Sequence, residues 1–239
     1  MSRRVVLAWS SGKDSAWALE TLRAYDDVEV VGLLTTLNAA ADRVAMHAVR
    51  RELAELQAAA AGLPLTTVPL PDPCSNAEYE RLMAGAIVDA KARGVTHMAF
   101  GDLFLEDVRA YRIRQLQETG IHPLFPIWAS SEATPALARQ MTASGVRAIV
   151  TCVDSQQLDP DFLGREFDKK LLRDLPTHVD PCGERGEFHT FCYASPGFRS
   201  SLAVSRGRRV IKDQFHFLDL IPTFEDQRRA PPSLMNVPR

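Results

Sequence analysis

Five apolar residues, Val5–Trp9, run straight into the turn Ser10-Ser11-Gly12-Lys13-Asp14-Ser15. Beyond it, apolar residues fall at Ala16, Trp17, Leu19, Leu22 and Ala24. An unbroken apolar run this short, bounded by Arg4 and a Ser-Gly turn, reads as a strand buried on both faces. The stretch Asp14–Tyr25 reads as a helix. Strand, tight turn and helix are the opening of a βαβ unit, which commits the chain to an α/β architecture with a mainly parallel sheet.

The alternation continues along the chain. Val28–Leu34 reads as a second buried strand. From Met46, apolar positions at Val49, Leu53, Leu56 and Ala60 trace one helical face until Gly62 ends it. Leu65–Leu70 is a third strand. Asn76 is expected to cap a helix whose inner face is Tyr79, Leu82, Met83, Ala86, Ile87 and Ala90, ending at Gly94. Val95–Phe100 is a fourth strand, and it runs into Gly101-Asp102. These elements predict a parallel-sheet domain over residues 1–120. Around His122–Pro126 the pattern changes. A helix (Glu132–Ser144), a strand (Val146–Val153) and a helix (Asp161–Asp174) follow, then strand-like stretches from Thr190 through Val204 and over Val210–Leu220. They predict a smaller α/β domain over 121–222, with a polar tail over 223–239.

In a parallel sheet, ligands bind beyond the carboxyl ends of the strands. Ser10–Ser15 and Gly101-Asp102 both fall at such ends. A strand-to-helix turn presents free backbone N–H groups and the positive end of the helix dipole, which together suit an anion. Ser10, Ser11 and Ser15 add hydroxyls, Gly12 permits a close turn, and Lys13 adds a positive charge. Asp14 beside an anion calls for Mg²⁺ or a helix N–H to balance it. The spacing is that of neither a Walker A loop nor a G-x-G-x-x-G turn, since Leu7 and Asp14 occupy positions the former reserves for other residues.

The second dense cluster is Asp180–Thr190. Glu184, Glu187, Cys182, His189 and Thr190 lie there, held by Gly183 and Gly186. The glycines suggest backbone in close approach to a ligand. The two glutamates are spaced so that both face one cleft, where carboxylates bind an amine or take up a proton. Cys182 reads as a packing residue, Trp9, Trp17 and Trp128 as core, His47 as solvated, and Glu106-Asp107 as a helix start.

The bulk numbers narrow the classes. A formal charge of −2 lacks the basic balance of a general nucleic-acid binder, so nucleic acid is not expected as a partner. The four cysteines form no C-x-x-C, and no zinc site is expected. No apolar run approaches a membrane span or a signal peptide, so a cytoplasmic setting without membrane partners is expected, and a homodimer is compatible with it.

The loop at Ser10–Ser15 resembles the PP-loop of the N-type ATP pyrophosphatases, usually S-G-G-x-D-S after the first strand. Ser11 stands where the first glycine usually is, and fits provided that its φ need not be positive. Gly183-Glu184-x-Gly186-Glu187-Phe188-His189-Thr190 is similar to the signature of the diphthine–ammonia ligase family. So are Gly101-Asp102 with Tyr111-Arg112, Pro123–Trp128, and the segment holding Leu158, Leu163 and Gly164. The resemblance spans residues 3–220, with Arg185 where glycine is more usual.

Members of that family use ATP and ammonia to amidate diphthine, a modified histidine of translation elongation factor 2, releasing AMP and pyrophosphate. The resemblance implies a HUP-like PP-loop domain followed by a substrate domain. It implies that Ser10, Ser11, Gly12, Lys13, Asp14 and Ser15 hold the ATP phosphates, with Asp14 placing Mg²⁺. Gly101, Asp102 and Arg112 would lie beside the nucleotide. Gly183, Glu184, Gly186, Glu187, His189 and Thr190 would line the pocket for ammonia and a carboxylate acceptor, with Glu187 binding or deprotonating ammonium. Other outcomes remain open: a related pyrophosphatase acting on a tRNA or a small carboxylate, or a nucleotide sensor without turnover.

Overall fold

The structure, a computed structural model, describes residues 2–44 and 49–223. The expected helix start at Met46, His47 and the tail beyond Thr223 lie outside the described residues.

The first sheet holds β1 (Arg3–Ala8), β2 (Val28–Asn38), β3 (Arg43–Val44), β4 (Leu65–Leu70), β5 (His97–Ala99) and β6 (His122–Leu124). β1 lies between β2 and β5, β4 flanks β2 on its far side, and β6 flanks β5. Every pairing is parallel except that of the short β3 with β2. The apolar run of β1 is continuous because both of its faces are covered. Val5, Leu7 and Trp9 point into one cluster, while Val6 points into another with Met83 and Ile87. Fully burying a leucine such as Leu7 or Leu19 contributes roughly 1.5–3 kcal/mol.

The helices of this half are α1 (Lys13–Arg23), α2 (Arg51–Ala61), α3 (Asn76–Ala92) and α4 (Glu106–Leu116). α3 starts one residue differently from expectation. Ser75, not Asn76, is its cap, its hydroxyl accepting from the Glu78 N–H at 3.2 Å. Although β6 follows residue 120, it pairs with β5, so by sheet membership the first unit reaches Leu124.

The second unit adds α5 (Thr134–Ser144) and α6 (Lys169–Asp174), with β7 (Arg147–Asp154), β8 (Phe188–Ala194), β9 (Val204–Lys212) and β10 (Phe215–Pro222). Helices and strands are both present, but the sheet is antiparallel throughout, in the order β8-β7-β10-β9. The helix expected over 161–174 shrinks to α6. A 3₁₀ turn covers Pro160–Phe162, and Asp168 starts α6 afresh by accepting from the Leu171 N–H at 2.8 Å. The strand expected over Val210–Leu220 is instead a hairpin, turning at Asp213 with φ 54°. Asp tolerates the left-handed region that such a two-residue turn needs.

The two sheets share one core. Trp9 and Leu19 from the first half pack in the same cluster as Ile149, Phe191 and Leu220 from the second. Ion pairs add a second link, since Asp219 of β10 accepts from Arg43 at 2.9 Å and from Arg50 at 3.0 and 2.6 Å. Among the described residues no helix is long and apolar enough to cross a membrane.

Candidate active site

A cleft of about 510 Å³ opens beyond the carboxyl ends of β1, β2 and β5, where the parallel sheet meets the second unit. One wall is apolar, built by Leu34, Leu70, Met83, Met98 and Phe100 with Tyr79 beside them. The polar lining of the cleft comes from Ser10, Asp14, Asp102, Arg112, Glu184 and Thr190. Of the sequence-derived candidates, Ser10, Lys13, Asp14, Ser15, Gly101, Asp102, Arg112, Gly183, Glu184, His189 and Thr190 line this cleft, although the first and last are 180 positions apart in the chain.

The turn at 10–15 folds as the strand-turn-helix pattern predicts. α1 begins at Lys13, and Gly12 precedes it with no side-chain cap, leaving the first-turn N–H groups to other partners. The Lys13 N–H donates to the Thr190 hydroxyl at 3.1 Å, and the Ser15 hydroxyl donates to the Gly12 carbonyl at 2.9 Å. A side chain on Gly12 would meet the Thr190 carbonyl at 3.3 Å, and one on Gly101 would meet the Asp14 backbone at 3.1 Å. Both glycines thus serve close packing of three chain segments. Ser11 adopts φ 69°, so the proviso of a negative φ is not met. It occupies the glycine conformation without being glycine.

Lys13 lines the cleft from a buried position. Its side chain is 2% exposed, and its ammonium donates to Asp14 Oδ2 at 2.8 Å and to the Cys182 carbonyl. It lies 5.2 Å from the Phe167 ring centre and 5.5 Å from that of Phe188. Burial pulls its pKa down, but attraction to Asp14, Cys182 and Glu184 outweighs this and leaves it raised. Lys13 keeps its charge and holds the 182 backbone against the loop. Asp14 is raised by burial despite the ion pair, and its Oδ1 is buried with no hydrogen-bond partner.

At the end of β5, Asp102 Oδ2 lies 3.5 Å from Arg112 Nε, too far for a hydrogen bond, and both atoms are buried without one. Arg112 lies over the Phe100 ring at 4.9 Å. Burial raises Asp102, with Arg112 opposing and Asp14 adding to the rise. Thr35, on the wall at β2, has a buried hydroxyl that is likewise unpartnered. Buried polar atoms without partners are uncommon in folded proteins. Here Asp14 Oδ1, Thr35 Oγ1, Asp102 Oδ2 and Arg112 Nε all belong to residues of one cleft.

The 180–190 segment divides the expected acceptor residues. Glu184 lines the cleft, its Oε1 accepting from the Leu103 N–H at 2.7 Å. Burial, reinforced by Asp14 and Asp102, pushes its pKa up to about 8. Glu187 does not line the cleft. It is 2% exposed, and its two oxygens accept from the Asp180 and Arg185 N–H groups at 2.8 and 2.9 Å. Its expected role as an ammonium base is corrected to that of a brace for its own turn. Gly183 lines the cleft and, at φ 70°, packs against the Phe188 carbonyl, while Gly186, at φ 86°, faces open space and does not line it. Each is needed for its left-handed backbone.

His189 and Thr190 line the cleft. Burial, with the Lys13 charge, pushes the His189 pKa down to about 4, so the imidazole is neutral. Cys182 is buried and its thiol is pushed up by burial, which suits packing and not nucleophilic attack. Sequence reasoning missed Thr35, Leu70 and Met98 in the lining: Leu70 and Met98 carry only a strand signal, and Thr35 lies past the strand expected to end at Leu34. It also missed the buried amide of Gln57 behind the loop.

The charged lining holds three carboxylates, Asp14, Asp102 and Glu184, against two cations, Lys13 and Arg112. Among the described residues no cluster of three or more His, Cys, Asp or Glu is arranged as a self-sufficient metal site. Mg²⁺ bound with phosphates needs only one or two carboxylates, and the free oxygens of Asp14 and Asp102 fit that requirement.

Comparison with known proteins agrees with this layout. Residues 3–123 match the family described as diphthamide synthase N-terminal domain, and residues 133–222 match the diphthamide synthase C-terminal domain. Curated relatives include the proteins named diphthine–ammonia ligase of Rattus norvegicus and Homo sapiens, each 30% identical over 115 residues. Those two matches take in 45% of this chain and 42% of each relative. The Bos taurus protein of the same name is 26% identical over 225 residues, 84% of this chain and 82% of the relative.

Proposed function

This chain belongs to the diphthamide synthase family, and from that premise we propose that its cleft binds ATP and activates a carboxylate for attack by ammonia, releasing AMP and pyrophosphate. The observation that carries the reading is the set of four buried, unpartnered polar atoms on residues that line one cleft. A ligand rich in acceptors, brought with a divalent cation, would satisfy all four. The apolar wall of Leu34, Leu70, Met98 and Phe100 suits a flat base, and the loop N–H groups at α1 suit phosphates.

The residues then divide the work. Ser10, Gly12 and Ser15 shape the phosphate loop, and Lys13 supplies positive charge from behind it. Asp14 and Asp102 offer free oxygens to Mg²⁺, which would neutralise charge developing on pyrophosphate. Arg112 faces the same region and has an unused N–H for a phosphate oxygen. A carboxylate becomes a good acyl donor once its oxygen is joined to AMP. Ammonium must first lose a proton to attack, and Glu184 is the base. With a pKa near 8 its carboxyl is mostly protonated at neutral pH, so it acts as the base only in its ionised fraction. That fraction grows as pH rises toward 8 and accepts the proton far better than an ordinary carboxylate. The amide forms as the acyl–oxygen bond to AMP breaks. His189, neutral in its buried position, and Thr190 shape the acceptor end.

The test is AMP and pyrophosphate formation with ATP, Mg²⁺ and ammonium, supplying elongation factor 2 bearing diphthine as the acceptor. Ammonium-dependent AMP release with gain of an amide supports the reading. AMP release with another acceptor moves the chain to the wider pyrophosphatase group, and no turnover with any acceptor leaves the sensor reading.

A further inference from the structure

Ser11 carries two costs that glycine would not. Its φ of 69° is unfavourable for a side chain, and its buried hydroxyl has no hydrogen-bond partner. Such a conformation persists only where surrounding groups over-determine it. Two donors converge on the Ser11 carbonyl: the Cys192 N–H of β8 at 2.9 Å and the side-chain amide of Gln57 at 3.0 Å. Gln57 is fully buried on α2, and every hydrogen-bonding capacity it uses is directed at this spot. The same Nε2 donates to the Cys192 carbonyl at 2.6 Å, while its Oε1 accepts from the Trp9 indole N–H at 2.9 Å. Trp9 follows β1 immediately before the loop. One amide therefore ties the strand before the loop, the peptide inside it, and β8 beneath it.

We propose that Gln57 is a positioning residue for the phosphate loop, clamping the Ser11 peptide in its left-handed conformation so that the loop is set for its ligand before the ligand arrives. Held this way, the Ser11 carbonyl points back toward Gln57 and β8, and no carbonyl dipole of that peptide is turned upon an anion. With glycine at position 11 the conformation would hold itself; with serine it depends on the clamp. The inference rests on the ATP reading only for its ligand, not for the conformation.

The test uses Gln57→Leu, Ser11→Gly and the two combined in the full chain. In a crystal structure of Gln57→Leu, Ser11 should leave the left-handed region. Calorimetry with MgATP should show Kd raised on the order of tenfold. Adding Ser11→Gly to Gln57→Leu should return Kd to within about threefold of the natural protein, since glycine keeps the conformation unaided. Gln57→Glu, which keeps the acceptor for Trp9 and loses the donor when ionised, serves if the leucine variant does not fold. Ser11 remaining near 69° without Gln57, or an equal loss of affinity in both backgrounds, overturns the clamp. If the natural protein binds no ATP, the ATP reading falls, and the φ of Ser11 in the variant alone decides the clamp.

Discussion

Asp14 in the loop at 10–15 and Glu187 in the turn at 180–187 are both carboxylates close to glycines and to a basic side chain, the first 24% exposed and the second 2%. Asp14 keeps one oxygen without a partner on the wall of the cleft. Glu187 spends both oxygens on backbone N–H groups of its own turn, and Asp180 does the same with Oδ2, accepting from Cys182 and Glu184 at 3.2 and 3.0 Å. The first region leaves a buried polar atom unsatisfied on a residue that lines the cleft, and the second is satisfied internally by its own backbone. Glu184 stands between the two, with one oxygen on the Leu103 N–H and its carboxyl on the cleft. Binding is concentrated where the fold leaves polar groups unmet, and stability where it meets them.

Separate substitutions pull the two apart. Asp14→Asn should cut AMP formation by about 100-fold, because it weakens the hold on the cation and on charge developing in the reaction. Its unfolding midpoint in urea should fall as well, because the buried Lys13 ammonium loses its charged partner. Glu187→Gln should lower stability without the loss of turnover. Replacing a charged acceptor of two backbone N–H groups costs roughly 2 kcal/mol of stability, read from the same urea titration, with turnover per folded molecule within about threefold. If Glu187→Gln abolishes turnover while the fold is intact, the division between the regions is wrong.

Glu184 gives the comparison a pH axis. Its carboxyl titrates near 8 in the folded chain against an ordinary value of 4.5, so between those values the folded state holds a proton that the unfolded state has lost. Its contribution to stability is therefore present at low pH and is lost as pH rises through about 8. Glu184→Gln should remove that slope, and its stability relative to the natural protein should grow from pH 5 to pH 8. A constant difference across that range would mean that the carboxyl is not held protonated. The smallest effect is expected at the ion-pair link. Asp219→Asn weakens the contacts to Arg43 and Arg50, which are partly exposed, and should cost about 1 kcal/mol in the urea titration without changing ATP affinity.

The parallel half was legible because its signals are local. A strand buried on both faces reads as an unbroken apolar run, and the turn after β1 announces itself by Ser, Gly and Lys. Asp14 and Asp102 were likewise accessible as strand-end residues, while Glu184 came from the dense 180–190 cluster and Arg112 from the family resemblance. The misreadings concern partners that sequence spacing does not carry. A glutamate between glycines looks the same whether it holds a ligand or its own backbone, so Glu187 was read as chemistry. The hairpin at Asp213 was missed because the apolar residues on its two sides run on as one strand. Gln57 gave no signal at all, since the groups it joins lie 46 and 135 positions away in the chain.

The most direct test of the account is calorimetric titration of MgATP into the natural protein and into Asp14→Ala. The account predicts saturable binding in the micromolar range for the natural chain. It predicts affinity at least tenfold weaker, or no measurable heat, for the variant. Equal binding by both proteins, or none by the natural chain, would contradict the assignment of this cleft to ATP.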